Sequence, residues 1–433
     1  MFKTLSNIWK VEDLRKRILF TLFILLIYRI GSFIPVPNIN KEVFKQVDQQ
    51  GADIFGLLNT FSGGALFQFS IFAIGIMPYI TASIIVQLLT MDVIPKFAEW
   101  AKEGEIGKRK LAQVTRYGTI VLGLIQGFAT AIGFNRSYQY EMVIDPSFAT
   151  YLMIAIILTA GTAFLMWLGE QITEKGIGNG ISILIFAGIV AGIPGQIRTI
   201  YADQFVDAEG QLFLHILKVI VIALVILAII VGVIFVQQGI RKIPVQYAKR
   251  VVGRKMYGGQ STHIPLKVNS AGVIPVIFAS SLLMFPVTIA NFWSHQAWAT
   301  WIINNLYYDQ PLGMVIYVLL IIAFTFFYTF VQINPVQMAD QMKKNGGYIP
   351  GIRPGKPTST YLTRVMTRIT LAGAIFLAAI SILPVFFSSL AGLPQSVALG
   401  GTSLLIVVGV ALDTMKQIET QLIKRHYKGF INK

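Results

Sequence analysis

The chain has 433 residues, 55% of them hydrophobic and 13% charged, and its mean hydropathy of +0.66 excludes an ordinary water-soluble globule. At about 20 residues per membrane-spanning helix, the length accommodates ten spans with ample loops. Thirty-six basic against 20 acidic residues give a net charge of +16, while zero cysteines and four scattered histidines exclude disulfides, thiolate chemistry and a metal site, so no cofactor is expected.

Apolar runs taken in chain order predict an all-α polytopic membrane protein with helices near residues 18–33, 69–89, 117–134, 151–168, 180–197, 212–236, 271–289, 312–331, 369–387 and 400–412. The first run has no small-residue cleavage site and leads into Pro35 and Pro37, so it reads as a retained helix. The Lys/Arg count supports the number of spans. Six basic residues fall between Lys96 and Arg116, seven between Arg241 and Lys267, six between Lys343 and Arg368 and five from Lys416 onward. Together with the N-terminal arm and Lys175, 30 of the 36 lie on one side, which places both termini in the cytoplasm. The expected organisation is a cytoplasmic arm (1–17), a first half (18–200), a second half (201–415) with basic loops at 237–268 and 334–368, and a cytoplasmic tail (416–433).

Two sets of five spans must lie in the membrane with opposite orientation, so related halves would form an inverted repeat. GIMPYITAS, starting at Gly75, and GVIPVIFAS, starting at Gly272, agree at five of nine positions, and GISILI at Gly180 agrees with GTSLLI at Gly401 at four of six. These matches pair the second span with the seventh and the fifth with the tenth.

Between Asp53 and Leu89 the apolar stretch is too long for one span and is interrupted by Ser62, Gly63 and Gly64. The residues allow a short half-helix near 54–61 that lines a cavity, or an amphipathic segment lying on the outer membrane surface. The middle thirds of the spans hold no Asp, Glu, Lys or His, and Arg29, Lys218 and Asp413 lie toward span ends. That leaves no carrier for proton or sodium coupling and no apparatus for an intramembrane enzyme. It also disfavours the alternative of a secondary transporter of small solutes. The neutral polar residues Thr81, Gln87, Gln126, Thr162, Asn179, Asn269 and Gln332 would join helix to helix, or as a set form a separable interface. Ile76, Ile80 and Ile84 share one helical face, as do Ile181 and Ile185. The repeat pairs Ile80 with Ile277 and Ile185 with Ile406, which suits either ordinary apolar packing or a ring that seals a pore by dewetting. Ile220 and Ile322 are expected to face lipid. The basic loops, with Tyr247 and Tyr257 among Arg241, Lys242, Lys249, Arg250, Arg254 and Lys255, serve topology or dock a cytosolic partner carrying phosphate or acidic groups.

The segments IGSFIPVP, NTFSGGALFQFSIFAIGIMPYITASIIVQLL, WLGEQITEKGIGNGISI, THIPLKVNSAGVIP, PGIRPG and GGTSLLIV, in this order and over nearly the whole chain, resemble the bacterial SecY family of protein-conducting channels. The resemblance implies two pseudo-symmetric halves around a central pore that passes unfolded secretory polypeptides and releases transmembrane segments sideways into lipid, without enzymatic activity. It places a plug over 53–68, including Ile54, Phe55, Leu57, Leu58, Phe61, Ser62, Gly63 and Gly64. A pore ring falls on Ile76, Ile80, Ile181, Ile185, Ile277 and Ile406, and polar positions of a lateral gate on Thr81, Gln126 and Asn269. It further implies SecE and SecG as membrane partners, signal peptides and nascent chains as substrate, and a SecA motor ATPase or a ribosome, with its RNA, on the basic loops, where Arg353 of PGIRPG stands out. The cell membrane would be its location.

Overall fold

A computed structural model describes residues 11–40, 59, 62–66, 68–90, 94–137, 143–201, 205, 212–247, 250–252, 255–257, 261–290, 293, 296–307, 310–391 and 400–431. Each expected apolar run contains a helix. These are α1 (Glu12–Gly31), α2 (Met77–Leu89), α4 (Glu105–Ser137), α5 (Phe148–Lys175), α6 (Gly180–Tyr201), α7 (Leu212–Gln238), α8 (Ile274–Ala290), α10 (Pro311–Gln332), α12 (Lys356–Ala391) and α13 (Gly400–Ile431). Three shorter helices join them: α3 (Pro95–Lys102), α9 (Ala297–Asn305) and α11 (Pro335–Lys344). Among the described residues, α5, α7, α10 and α12 contain windows long and apolar enough to cross a membrane by length and composition. At 1.5 Å per residue, α4 and α12 are about 50 Å long, well beyond a hydrocarbon core of about 30 Å, so their charged ends project from it.

Several boundaries differ from the sequence expectation. The arm expected over 1–17 is already helical from Glu12, where Lys16 meets Glu12 at 2.9 Å, and the expected tail from 416 continues α13 to Ile431. The second span begins as a helix only at Met77, not near Phe69. Phe69 (φ 41°) and Gly75 (φ 62°) are left-handed, which breaks the helical hydrogen-bond ladder, and Pro78 sits in the first turn of α2. The preceding turns bond to the exit of α1 instead: Val36 N donates to the Phe69 carbonyl at 3.0 Å and Ile71 N to the Ile34 carbonyl at 2.9 Å. Non-helical backbone at membrane depth is therefore covered by protein, as an apolar surrounding requires.

Within each half the second to fifth spans pack in succession while the first packs against the fourth and fifth, and between halves α2 meets α8 while α6 meets α13. One apolar cluster runs through both halves and contains Ile24, Ile84, Leu184, Leu283, Phe324 and Leu405. The expected repeat has a backbone counterpart. Gly272, 197 positions after Gly75, has φ 66°, and Pro275 opens α8 as Pro78 opens α2. Both glycine carbonyls accept a side-chain hydrogen bond, from Thr162 Oγ1 at 3.0 Å and from Asn269 Nδ2 at 2.9 Å.

The basic loops carry the β-structure. Strands β1 (Ile240–Tyr247) and β4 (Ser261–Lys267) form a hairpin, β2 (Arg250–Val252) and β3 (Lys255–Tyr257) a short ribbon at its tip, and β5 (Gly347–Tyr348) from the second loop pairs with β1. The order is thus β4-β1-β5, and α11 and the start of α12 close an apolar core of Ile243, Val245, Leu266, Met342, Leu362 and Met366 beneath it. Two loops nearly 100 residues apart fold as one layer.

Candidate functional site

All six isoleucines expected at a constriction belong to one apolar cluster. Ile76, Ile80, Ile185, Ile277 and Ile406 are buried in the cluster shared by the two halves, and Ile181 packs against it. They come from α2 and its N-cap, α6, α8 and α13, so four helices contribute, two from each half. Their β-branched side chains hold a narrow range of χ1 while presenting only carbon. At the same contact Ser281 Oγ, bonded to the Ile277 carbonyl at 2.8 Å, approaches Met77 Sδ at 3.8 Å across the seam between the halves. Apart from that weak sulfur contact, these isoleucines offer only carbon to the contact between the halves.

The seam opens into a crevice between α2, α4 and α8. Thr81 and Gln126 line it, together with Thr130, Ser281 and Thr288, which sequence reasoning did not single out. Their hydroxyls share helical spacing with apolar neighbours, and three bond the helix carbonyl four residues back: Thr130 to Gln126, Ser281 to Ile277 and Thr288 to Met284. The crevice is thus lined by hydroxyls already satisfied within their own helices, which limits polar adhesion across the seam. Asn269 does not line it. It lies before α8, holds the Gly272 carbonyl, and leaves Oδ1 without a partner among the described residues, as does Nε2 of the buried Gln237 at the end of α7.

Of the residues expected to plug the pore, Ile54, Phe55, Leu57, Leu58 and Phe61 lie outside the described residues. Ser62, Gly63 and Gly64 form a turn with φ 69° and 86° at the two glycines. Ser62 is buried, and its Oγ accepts from Leu66 N at 3.2 Å while donating to the Asn59 carbonyl at 3.1 Å. A side chain on Gly63 would come within 2.8 Å of Gly188 Cα on α6, so the turn requires glycine for space as well as for φ.

In the basic layer, Arg241 and Lys242 are exposed at the start of β1, and beyond them Ile243 and Val245 are buried in the core. Arg250 and Lys255 are placed by backbone only, on β2 and β3, and Lys249 and Arg254 lie outside the described residues. Arg353 is exposed on a turn between Gly351 (φ 80°) and Gly355 (φ 99°), and its carbonyl accepts from the buried Thr358 Oγ1 at 2.8 Å. The backbone at this arginine is therefore held while its side chain is exposed. Among the described residues no cluster of side chains suits a metal ion.

Comparison with known proteins agrees with this geometry. The family model SecY matches residues 70–415. The protein translocase subunit SecY of Halalkalibacterium halodurans is 65% identical over the full length of both chains, and that of Bacillus subtilis 61%. A solved protein-conducting channel superposes with a TM-score of 0.61, covering 94% of this chain and 92% of the other at 18% identity. Sec61 from a canine ribosome–channel complex gives 0.57 with the same coverage at 17% identity. These two structures support the fold, and the extended identity to the bacterial subunits supplies the rest: the chain belongs to the SecY family.

Proposed function

We propose that this chain is the protein-conducting subunit of a cell-membrane translocase, passing unfolded polypeptides through the isoleucine constriction and releasing apolar segments through the crevice between α2, α4 and α8. The observation that carries this reading is that six isoleucines from four helices, two in each half, belong to one apolar cluster. A neck lined by carbon excludes hydrated ions because nothing replaces their hydration shell, yet it yields to a peptide without permanent bonds to break. The relatives' name, protein translocase subunit, supports a transport role rather than an enzymatic one.

Both termini and the basic layer then face the cytoplasm, following the charge asymmetry. Arg241, Lys242, Arg250, Lys255 and Arg353 would receive a SecA-type motor ATPase or a ribosome, and the neighbouring Sec61 structure comes from a ribosome complex. Residues 53–68 act as the plug, Thr81, Gln126 and Asn269 as polar elements of the gate, and SecE and SecG as membrane partners. Because the chain has no cysteine, each introduced thiol is unique. A secretory chain stalled in the reconstituted translocase should crosslink to Ile80→Cys and Ile277→Cys and not to Ile220→Cys on the exposed face of α7. Equal crosslinking at all three positions, or at none, would overturn the pore assignment.

A further inference from the structure

The first span carries two adjacent polar side chains that reach across to the same distant turn. Tyr28, buried, donates its hydroxyl to the Ser62 carbonyl at 3.1 Å, and Arg29 Nη1 donates to the Gly63 carbonyl at 3.0 Å. The Arg29 guanidinium also lies 4.6 Å over the Phe33 ring, and no carboxylate among the described residues is within ion-pair distance of it. An arginine near the end of an apolar span ordinarily snorkels to water or pairs with an acid. Here its strong polar contact is a backbone oxygen at the root of the plug segment. Hydrogen bonds from an ionised donor are roughly twice as strong as neutral ones and gain further where water is scarce.

We propose that Tyr28 and Arg29 form a latch that holds the root of the plug and so sets the resting closure of the channel. This rests on residues 53–68 acting as the plug. The turn that the latch grips is wedged against α6, because Gly63 has no room for a side chain beside Gly188. Gly188 follows the ring residue Ile185 by three positions and so lies on the same side of the helix. A peptide that displaces α6 at the ring therefore also withdraws the wall against which the turn is pressed, leaving the two hydrogen bonds from α1 to hold it. The two seals are joined in series through one helix: opening the ring loosens the latch, and an intact latch resists spontaneous opening. Arg29 and Tyr28 are positioning residues, since neither belongs to the ring itself.

Planar-bilayer recordings of the reconstituted translocase without substrate test this. Arg29→Gln should raise the resting open probability by about tenfold, the scale of one charge-assisted hydrogen bond, and Tyr28→Phe by a few-fold. Arg29→Lys, which keeps a charged donor, should stay nearer the parent than Arg29→Gln. The decisive measurement repeats Arg29→Gln in a chain lacking residues 54–61. That deletion alone should leak, and adding Arg29→Gln should not increase the leak further. The latch is overturned if Arg29→Gln leaves the intact channel tight, or if it raises leak by the same factor with and without the deletion, which would mark a general loosening of α1. A deletion that does not leak overturns the plug reading itself, a result distinct from either of these. Tyr28→Phe, which removes one oxygen and keeps the ring stacked on Phe72 at 6.0 Å, gives the same comparison should Arg29→Gln not assemble.

Discussion

Ile80 and Ile277 occupy matching places in the two halves, and each is at least nine-tenths buried in the shared cluster. Exchanging both for serine puts hydroxyls into the neck from both sides, where they offer water and ions the partners that carbon denies them. We expect Ile80→Ser with Ile277→Ser to leak ions more than either single variant in planar bilayers. Ile220 and Ile375, at 50% and 54% exposure on α7 and α12, form the control pair that should leak no more than the parent. Ile322, expected to face lipid, is half-buried and unsuited to that use. Equal leak from ring and control pairs would return these residues to ordinary packing. Internal similarity aligned four of these isoleucines, Ile80 with Ile277 and Ile185 with Ile406, whereas Ile322 shows the limit of composition: an isoleucine in an apolar run carries no mark of which face it occupies.

At the scale of elements, the ten helices followed from apolar length and charge alternation, and the turn at Ser62 to Gly64 from its small residues. The late start of α2 did not follow. Phe69 is an ordinary apolar residue in sequence, and only pairing with the exit of α1 holds it at positive φ. The close approach of Gly161 to the Ile71 carbonyl, which leaves no space for a Cβ, was equally hidden, since it joins residues distant in sequence. The basic loops read as charge, and the strand over Ile240–Tyr247 did not follow from it, although Ile243 and Val245 are buried between exposed Lys242, Pro244 and Gln246. The turn carrying Arg353 permits a graded test. Arg353→Glu should abolish docking of the cytosolic partner with little change in thermal stability, because an exposed charge contributes little to folding. Thr358→Val removes the bond to the Arg353 carbonyl and should cost about 1 kcal/mol of local stability, weakening docking without abolishing it. Partner affinity measured on liposomes separates the two, and equal affinity for Arg353→Glu and the parent would refute a docking role.

For the whole molecule, the seam between the halves is where packing and function meet. Thr81 and Gln126 share the crevice beside α8 whereas Asn269 braces the turn before that helix, so the residues proposed for the gate divide into two kinds. Gln126→Leu should lower the hydrophobicity at which a segment leaves sideways, within the roughly 0.6–2 kcal/mol that a polar contact between membrane helices contributes. Insertion of a graded series of segments measures it, and superimposable curves for mutant and parent would favour static packing. Sequence alone placed all three residues together because it identifies polar side chains but not the depth or turn at which each is spent. The pairing of β5 with β1 has a consequence for biosynthesis. The layer that holds Arg241 and Arg353 needs a strand ending at Tyr348, so it is incomplete until most of the chain has been made. At about 5–20 residues per second, the stretch between Tyr247 and Tyr348 takes roughly 5–20 s to synthesise. For that interval a nascent chain has most of its spans while β1 still lacks its second neighbour, so the proposed docking surface would be completed only after those spans.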